Sequence, residues 1–199
     1  MTLGADMHTE RGFLFVISMN DMKNAYDTSP WFVIHTFNCY ELKIGDFLKQ
    51  KGLAYFIPME YKVKELKGGK IKKKLVPVIH NLLFVQKSMP EKKMKRIFAE
   101  CTLPVYFQFK ENSCEFYEIR HREMQLFMLM CDPNIESRRF ISLAEATLKV
   151  GSEVDVVCGL FKGVRGKLVR YHKQYYVLNI MEGIGVMIKV SRWCCKPCE

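Results

Sequence analysis

The chain has 199 residues, 49% apolar and 26% charged, a balance typical of a packed globular protein rather than a disordered one. No stretch approaches the roughly 18 uncharged apolar residues that a membrane-spanning helix needs, and residues 12–19 lack the features of a secretory signal. We therefore expect a cytoplasmic protein with no membrane association. Its formal net charge of +10 favours a polyanionic partner.

The first 130 residues predict a leader followed by an α+β sandwich. Residues 1–29 show no lasting hydrophobic period and are predicted to be a disordered leader. The predicted order that follows is strand 31–36, helix 40–51, extended stretches 54–67 and 70–86 around a Gly68–Gly69 turn, a helix with Pro90 in its first turn, strand 104–109 and helix 120–130. This order predicts one domain with an antiparallel sheet over residues 30–131.

The C-terminal part has a different pattern. Residues 132–148 are polar, contain Pro133 and are predicted to be a linker. Short alternating strands with glycines between them follow, at 153–158, 164–171, 174–180 and 186–190. They predict a small β-barrel domain over residues 149–199.

A lysine-rich run lies within the predicted hairpin. Residues 62–74 hold seven lysines against the single Glu65. Lys72, Lys73 and Lys74 are the densest part and are candidates for contact with nucleic-acid phosphates. A solvated, lysine-rich hairpin is an equally good interpretation of the run.

The eight cysteines do not suggest a disulfide framework. Most lie alone in apolar sequence, so we expect reduced, buried thiols. Cys195 and Cys198 form a C-x-x-C pair, but a zinc site usually needs a second pair of ligands, and His172 is the nearest candidate. The sequence therefore predicts no metal site and no cofactor.

Residues 150–170 (VGSEVDVVCGLFKGVRGKLVR) resemble the KOW motif, in which a strand, a glycine-containing loop and a second strand open a five-stranded barrel. The matching loop residues are Gly159, Phe161, Lys162, Gly163 and Gly166. The glycines allow sharp turns and close backbone crossing where a Cβ would collide.

The N-terminal part resembles the NGN domain of NusG-type transcription factors. Residues 31–53 (WFVIHTFNCYELKIGDFLKQKGL) match its opening strand and helix, and residues 76–85 (VPVIHNLLFV) lie where the family has L-F-P-G-Y-x-F-V. Here Ile79, His80, Asn81 and Leu82 replace Phe-Pro-Gly-Tyr. The chain therefore most resembles the specialised RfaH-like and UpxY-like antiterminators of polysaccharide operons.

This resemblance implies a surface that docks on the clamp of the RNA polymerase large subunit. The implied docking residues are Val33, His35, Ile79, Leu82 and Phe84. Lys93 and Lys95, in the helix that follows, would face the opposite side of the DNA cleft. Bridging the cleft would hold the clamp closed and disfavour the paused state, which gives elongation and antitermination.

The resemblance also implies further partners. In RfaH-like proteins the region of Asn38, Tyr40 and Lys43 reads the exposed non-template DNA strand, and nascent RNA is the alternative ligand. The barrel would recruit a ribosomal protein or the Rho termination factor. We expect a monomer.

Two other functions compete with this interpretation. An RNA-binding or ribosome-associated protein is the alternative, because KOW barrels also occur in ribosomal proteins. An enzyme using Cys39 or Cys114 with a histidine is the third possibility, but no phosphate-binding loop, paired-carboxylate motif or nucleophile spacing supports it. We therefore expect no enzymatic activity.

Overall fold

The structure, a computed structural model, describes residues 28–65 and 71–198. The predicted leader, apart from its last two residues, and the predicted Gly68–Gly69 turn lie outside the described residues. Over the described part, the chain is a mixed α/β protein with antiparallel sheets.

The described residues of the N-terminal half form seven strands and three helices. Their order agrees with the prediction, except that each predicted extended stretch contains two strands and the short strand at residues 118–119 was not predicted. The strands are β1 (Trp31–Thr36), β2 (Tyr55–Phe56), β3 (Met59–Glu65), β4 (Ile71–Pro77), β5 (Leu82–Gln86), β6 (Val105–Phe107) and β7 (Glu118–Ile119). The helices are α1 (Glu41–Gln50), α2 (Glu91–Ala99) and α3 (His121–Met130). One antiparallel sheet has the order β2-β5-β1-β6 with β7 also paired to β1, and β3 and β4 form a separate hairpin.

Strand β1 is buried on both faces, which explains its continuous aromatic and β-branched sequence. Phe32 and Ile34 face the layer formed by α1 and α2, where they pack with Ile44 and Met94. Val33 belongs to the cluster on the other face, which includes residues of α3. The sheet is therefore a central layer covered on both sides.

The described residues of the C-terminal half form a six-stranded antiparallel sheet with one short α-helix and a single 3-10 turn at Arg192–Cys194. Its elements are β8 (Arg138–Ser142), α4 (Leu143–Thr147), β9 (Ser152–Val156), β10 (Arg165–Tyr171), β11 (Gln174–Met181), β12 (Ile184–Lys189) and β13 (Cys195–Pro197). The strand order is β13-β9-β10-β11-β12-β8. The four predicted strands are confirmed, and none of their ends is shifted by more than two residues.

The predicted closed barrel is not formed. Within residues 138–198, β8 and β13 are the two ends of the hydrogen-bonded order and do not pair with each other. A barrel requires the first and last strands to pair. The C-terminal sheet, as we call these six strands, is therefore open.

Most of the segment predicted as a linker is regular structure. Within residues 132–148, β8 pairs with β12, and Ser142 caps the N-terminus of α4 through a capping box in which Ser142 and Glu145 each accept from the other's backbone N–H. The polar composition concealed this strand because Arg139 and Ser142 are exposed at the sheet edge.

Helix α3 joins the two halves. Met124 and Phe127 are buried in one cluster with Val33 of β1 and with Val154 and Ile184 of the C-terminal sheet. The Met-rich side of α3 is therefore core.

Arg138 of β8 adds a polar link to the N-terminal half, because its Nη2 donates to the Met59 carbonyl oxygen at 3.1 Å. Burial lowers the pKa of this guanidinium from its ordinary value.

No helix in the described part of the chain is long and apolar enough to cross a membrane.

Candidate functional site

The predicted docking residues share one face of the N-terminal sheet. In the β1–β5 ladder, Val33 lies opposite Phe84 and His35 lies opposite Leu82. Directly opposed residues point to the same side of a sheet. Ile79, in the turn before β5, packs against the same cluster. The structure therefore brings all five predicted residues together.

Most of this face is covered in the structure. Val33 and Phe84 are fully buried, and Leu82 is 4% exposed. The ring of Phe127, from α3, lies 5.8 Å from the ring of Phe84 in an edge-to-face arrangement. These three residues form a floor beneath α3, and direct contact with a partner would require α3 to move.

An exposed aromatic edge borders this floor. His35 is half-buried, its Nε2 lies 2.8 Å from Gln108 Oε1, and its ring stacks on Tyr106 at 4.8 Å. Phe37 lies 5.8 Å from Tyr106, and the two side chains are 46% and 48% exposed. We call His35, Phe37 and Tyr106 the aromatic edge. Large exposed aromatic groups of this kind are typical of protein-binding surfaces.

The loop between β1 and α1 is held in an unusual backbone conformation. Asn38 and Cys39 have φ values of 52° and 56°, in the left-handed region that is uncommon for residues other than glycine. The Cys39 N–H donates to Asn81 Oδ1 at 2.9 Å, and the Thr36 N–H donates to the Asn81 carbonyl oxygen at 3.0 Å. Asn81, in the turn before β5, therefore holds the loop in this conformation through hydrogen bonds to its backbone.

A buried carboxylate lies beside the same loop. Glu41, the first residue of α1, is only 1% exposed. Its Oε1 lies 3.1 Å from His80 Nδ1, and its Oε2 accepts from the Asn81 N–H at 3.2 Å. The sequence resemblance places Pro-Gly at the positions of His80 and Asn81, and in this chain both residues contact Glu41.

The predicted nucleic-acid residues of the loop are accessible. Asn38 and Lys43 are exposed and Tyr40 is half-buried. Lys43 Nζ lies 4.6 Å from the centre of the Tyr40 ring. A cation beside an aromatic face can meet a phosphate and a base together.

The hairpin lysines divide between two faces. Lys62 lies opposite Lys74 and Lys64 lies opposite Lys72, so these four point to one side. Lys73 lies opposite Val63 and points to the other side. The three lysines predicted as a group, Lys72, Lys73 and Lys74, are therefore exposed but do not share one surface.

The two α2 lysines are exposed, and Lys95 has an aromatic neighbour. Lys93 and Lys95 lie on the solvent side of α2, and Lys95 Nζ is 4.5 Å from the centre of the Phe116 ring.

The glycine loop between β9 and β10 is well defined. Gly159 and Gly163 have positive φ values of 81° and 94°, and the Gly163 N–H donates to the Val156 carbonyl oxygen at 2.8 Å. Phe161 is buried in the central cluster, whereas Lys162 is exposed. Gly166 lies within β10, where an added Cβ would collide with the Leu178 carbonyl group.

One pair of cysteines differs from the prediction. Cys158, in this loop, forms a disulfide with Cys194, 36 residues later in the chain. The prediction of reduced thiols is therefore wrong for this pair, because the fold brings together two cysteines that are distant in sequence. Cys39, Cys101, Cys114, Cys131, Cys195 and Cys198 are free thiols.

Comparison with known protein families identifies the family to which the chain belongs. A family model described as "NusG: Transcription termination factor nusG" matches residues 29–128, from β1 into α3. The chain belongs to the NusG family. Comparison with curated proteins found no match. Membership of the NusG family indicates a transcription elongation or termination factor and suggests interaction with RNA polymerase.

Several residues of the NusG-family region were missed by sequence reasoning. Phe37, Tyr106 and Glu41 were not singled out, although all three lie within the matched segment. Glu41 carries no sequence signal because an acidic residue is ordinary in the first turn of a helix. Tyr106 is the exposed middle residue of the short strand β6, between Val105 and the buried Phe107. Because successive residues of a strand point to opposite faces, its position in the strand was the available signal.

Proposed function

We propose that this NusG-family protein is an elongation and antitermination factor that binds RNA polymerase through its N-terminal half. The proposal rests chiefly on one observation, the exposed aromatic edge within the family-matched segment. His35, Phe37 and Tyr106 would dock on the clamp of the large subunit, with Ile79 at the margin. Val33, Leu82 and Phe84 would support this edge from the buried floor.

The neighbouring basic groups support contact with DNA. Asn38, Tyr40 and Lys43 follow the aromatic edge directly along the chain, so a polymerase bound there would bring its exposed non-template strand close to them. On the other flank, Lys93 and Lys95 of α2 would face the opposite side of the DNA cleft. A factor that contacts both sides stabilises the closed clamp and so disfavours the paused state.

The altered motif supports a specialised role. Ile79, His80, Asn81 and Leu82 replace the family's Phe-Pro-Gly-Tyr, and in the structure His80 and Asn81 hold Glu41 and Cys39. We infer an RfaH-like or UpxY-like factor for particular operons, such as those for polysaccharide synthesis. Lys162, the exposed residue of the KOW-like loop, would contribute to a surface for a ribosomal protein or Rho, whereas Phe161 and Gly166 are buried and would support the loop.

The first test uses purified full-length protein and core RNA polymerase. Tyr106→Ala should weaken binding by about 10-fold or more, because a central aromatic anchor often carries much of an interface's energy. Tyr61→Ala is the matched control, since Tyr61 is also 48% exposed but lies on the β3–β4 hairpin. Equal affinities of the two variants would remove the aromatic edge from the interface.

A second experiment distinguishes polymerase binding from the alternative function, an RNA-binding or ribosome-associated protein. The RNA-binding alternative is supported by a groove between α3 and the C-terminal sheet that has a small excess of positive charge. It is lined by the basic residues Arg120, Arg122, Arg165 and Lys167 and by the acidic residues Glu123, Glu153 and Asp155. Asp155 pairs with Arg165 through two hydrogen bonds of 2.8 and 2.9 Å and reduces this charge. Tagged protein purified from its own cells after nuclease treatment should retain polymerase subunits. Recovery of ribosomal proteins without polymerase would favour the RNA-binding alternative.

A further inference from the structure

Three potential metal ligands from separate segments meet beside the first helix. One ligand atom each from Cys39, Glu41 and His80 lies within 4.8 Å of the other two. Cys39 belongs to the loop before α1, Glu41 to its first turn and His80 to the turn before β5. We propose that these residues form a binding site for a divalent transition-metal ion of the zinc class.

The ligand types fit Zn²⁺ better than the harder cations. A thiolate, an imidazole and a carboxylate are all common zinc ligands, whereas Mg²⁺ and Ca²⁺ prefer oxygen ligands. Ligand atoms bound to a tetrahedral zinc ion lie about 3.5 Å from one another. His80 Nδ1 and Glu41 Oε1 are already 3.1 Å apart. Cys39 and His80 are exposed, so small side-chain rotations can close the site.

Asn81 holds two of the three ligands in place. Its backbone N–H donates to Glu41 Oε2, which leaves Oε1 directed at His80. Its side-chain Oδ1 accepts from the Cys39 N–H and fixes that residue at positive φ. Hydrogen bonds that orient the ligands are a usual feature of metal sites.

The burial of Glu41 supplies an independent argument for a cation. A carboxylate that is 99% buried is costly unless a positive charge or several donors compensate it. The partners described for Glu41 are the neutral N–H of Asn81 and the ring of His80. A bound metal ion would provide the missing charge. A protonated His80 is the competing explanation, and it predicts no metal binding.

Metal binding would join the β1–α1 loop to the turn before β5. The ion would be coordinated by three protein groups, and water would complete the tetrahedron. This coordination would order the loop that carries Asn38, close to Tyr40 and Lys43. The metal site itself does not depend on the proposed function, since its test measures the ion directly.

The test uses cobalt as a spectroscopic probe of the full-length protein, without a histidine tag and with a non-thiol reductant. Co²⁺ should bind with one equivalent at this site and give the visible bands of a tetrahedral ion and a thiolate-to-cobalt charge-transfer band. Zn²⁺ should displace it. The absence of saturable binding of either ion would overturn the proposal and favour the His80–Glu41 ion pair.

Variants assign the site. Cys39→Ala and His80→Ala change exposed residues, so both should fold, and each should lower zinc affinity by more than about 100-fold, since even groups outside the ligand set cost 10–100-fold. Cys114→Ala and His172→Ala are matched controls, because both residues are exposed and lie outside the cluster. Retention of the cobalt bands in Cys39→Ala would refute the assignment.

Two further variants test the alternatives. Cys195→Ala with Cys198→Ala removes the free C-terminal thiols and should leave the cobalt spectrum unchanged. Loss of the spectrum in that variant would place the ion in the tail instead. Asn81→Gly keeps the positive φ but removes the acceptor for the Cys39 N–H, so it should weaken zinc binding by about 10–100-fold. An unchanged affinity would exclude Asn81 as a positioning residue.

Discussion

The rings of Phe84 and Phe127 pack edge to face, with centroids 5.8 Å apart and planes inclined by 64°. Phe84 lies at the centre of the sheet face that the NusG resemblance assigns to polymerase, and Phe127 lies on α3. This contact seals the face against solvent and joins it to the cluster shared with the C-terminal sheet. Helix α3 is therefore a structural element of both halves.

Phe127→Ala should be strongly destabilising. The side chain is 1% exposed, and truncating a buried phenylalanine typically costs about 3–5 kcal/mol of unfolding free energy. Urea denaturation followed by circular dichroism measures the loss. Phe109→Ala is the control, since Phe109 is 52% exposed and should show a much smaller effect. Similar losses for the two variants would contradict the central position of α3.

Sequence patterns predicted the N-terminal elements well because each has a strong local signal. The aromatic and β-branched run WFVIHT predicted β1, and apolar residues at steps of three and four predicted α1. The same reasoning failed for β8, because an edge strand exposes part of its length and its polar residues look like a linker. The predicted closed barrel failed because closure depends on pairing between β8 and β13, which no local pattern records.

The candidate site was predicted only as a set of residues on one face. The β1–β5 register does place Val33, His35, Leu82 and Phe84 together. Burial of three of them depends on α3, which follows about 35 residues after β5, so local alternation could not reveal it. The cluster of Cys39, Glu41 and His80 could not be predicted from spacing either, because the fold brings His80 to Cys39 and Glu41 from about 40 residues further along the chain.

Lys72→Gln and Lys73→Gln should differ in their effect on nucleic-acid binding. Lys72 belongs to the four-lysine face with Lys62, Lys64 and Lys74, where like charges lie directly opposite each other and repel. A bound polyanion would relieve this repulsion. Lys72→Gln should therefore weaken binding to single-stranded DNA and reduce the dependence of log K on log salt by about 1.

The adjacent Lys73→Gln has the same charge change on the opposite face and serves as its control. Fluorescence anisotropy over a series of salt concentrations gives both slopes. If the two variants lose affinity equally, the hairpin acts only through net charge, and the four-lysine face has no specific role.

The capping box of α4 makes a prediction about pH. Hydrogen bonds from the Ser142 backbone and side chain lower the pKa of Glu145 from its ordinary value. The folded state therefore binds its proton less readily than the unfolded state. The stabilisation is fully present above the ordinary glutamate pKa and is lost as pH falls through the lower, folded value.

Ser142→Ala should raise the pKa of Glu145 towards its ordinary value. The variant should therefore lose less stability from protonation of Glu145 as the pH falls. An NMR titration of the Glu145 side-chain carboxyl carbon measures the change. Ser137→Ala, an exposed serine outside the capping box, should leave the pKa unchanged. Because alanine keeps the backbone N–H that makes the larger contribution, the expected change is partial, and a Glu145 pKa that does not respond would show that the Ser142 hydroxyl does not hydrogen-bond to Glu145 in solution.

The Cys158–Cys194 disulfide should stabilise the C-terminal sheet under oxidising conditions. It links the β9–β10 loop to the turn before β13 and closes a loop of 36 residues, for which chain entropy predicts a contribution of about 4 kcal/mol. Cys158→Ser should lower the free energy of unfolding by about 2–4 kcal/mol in the absence of reductant. Cys114→Ser, at an exposed free thiol, is the control.

Reduction of the disulfide gives a second comparison. With reductant present, the wild-type protein should lose the same stability, and its difference from Cys158→Ser should largely disappear. A difference that persists after reduction would assign the effect to packing of the Cys158 side chain, because only the covalent link is sensitive to the reductant.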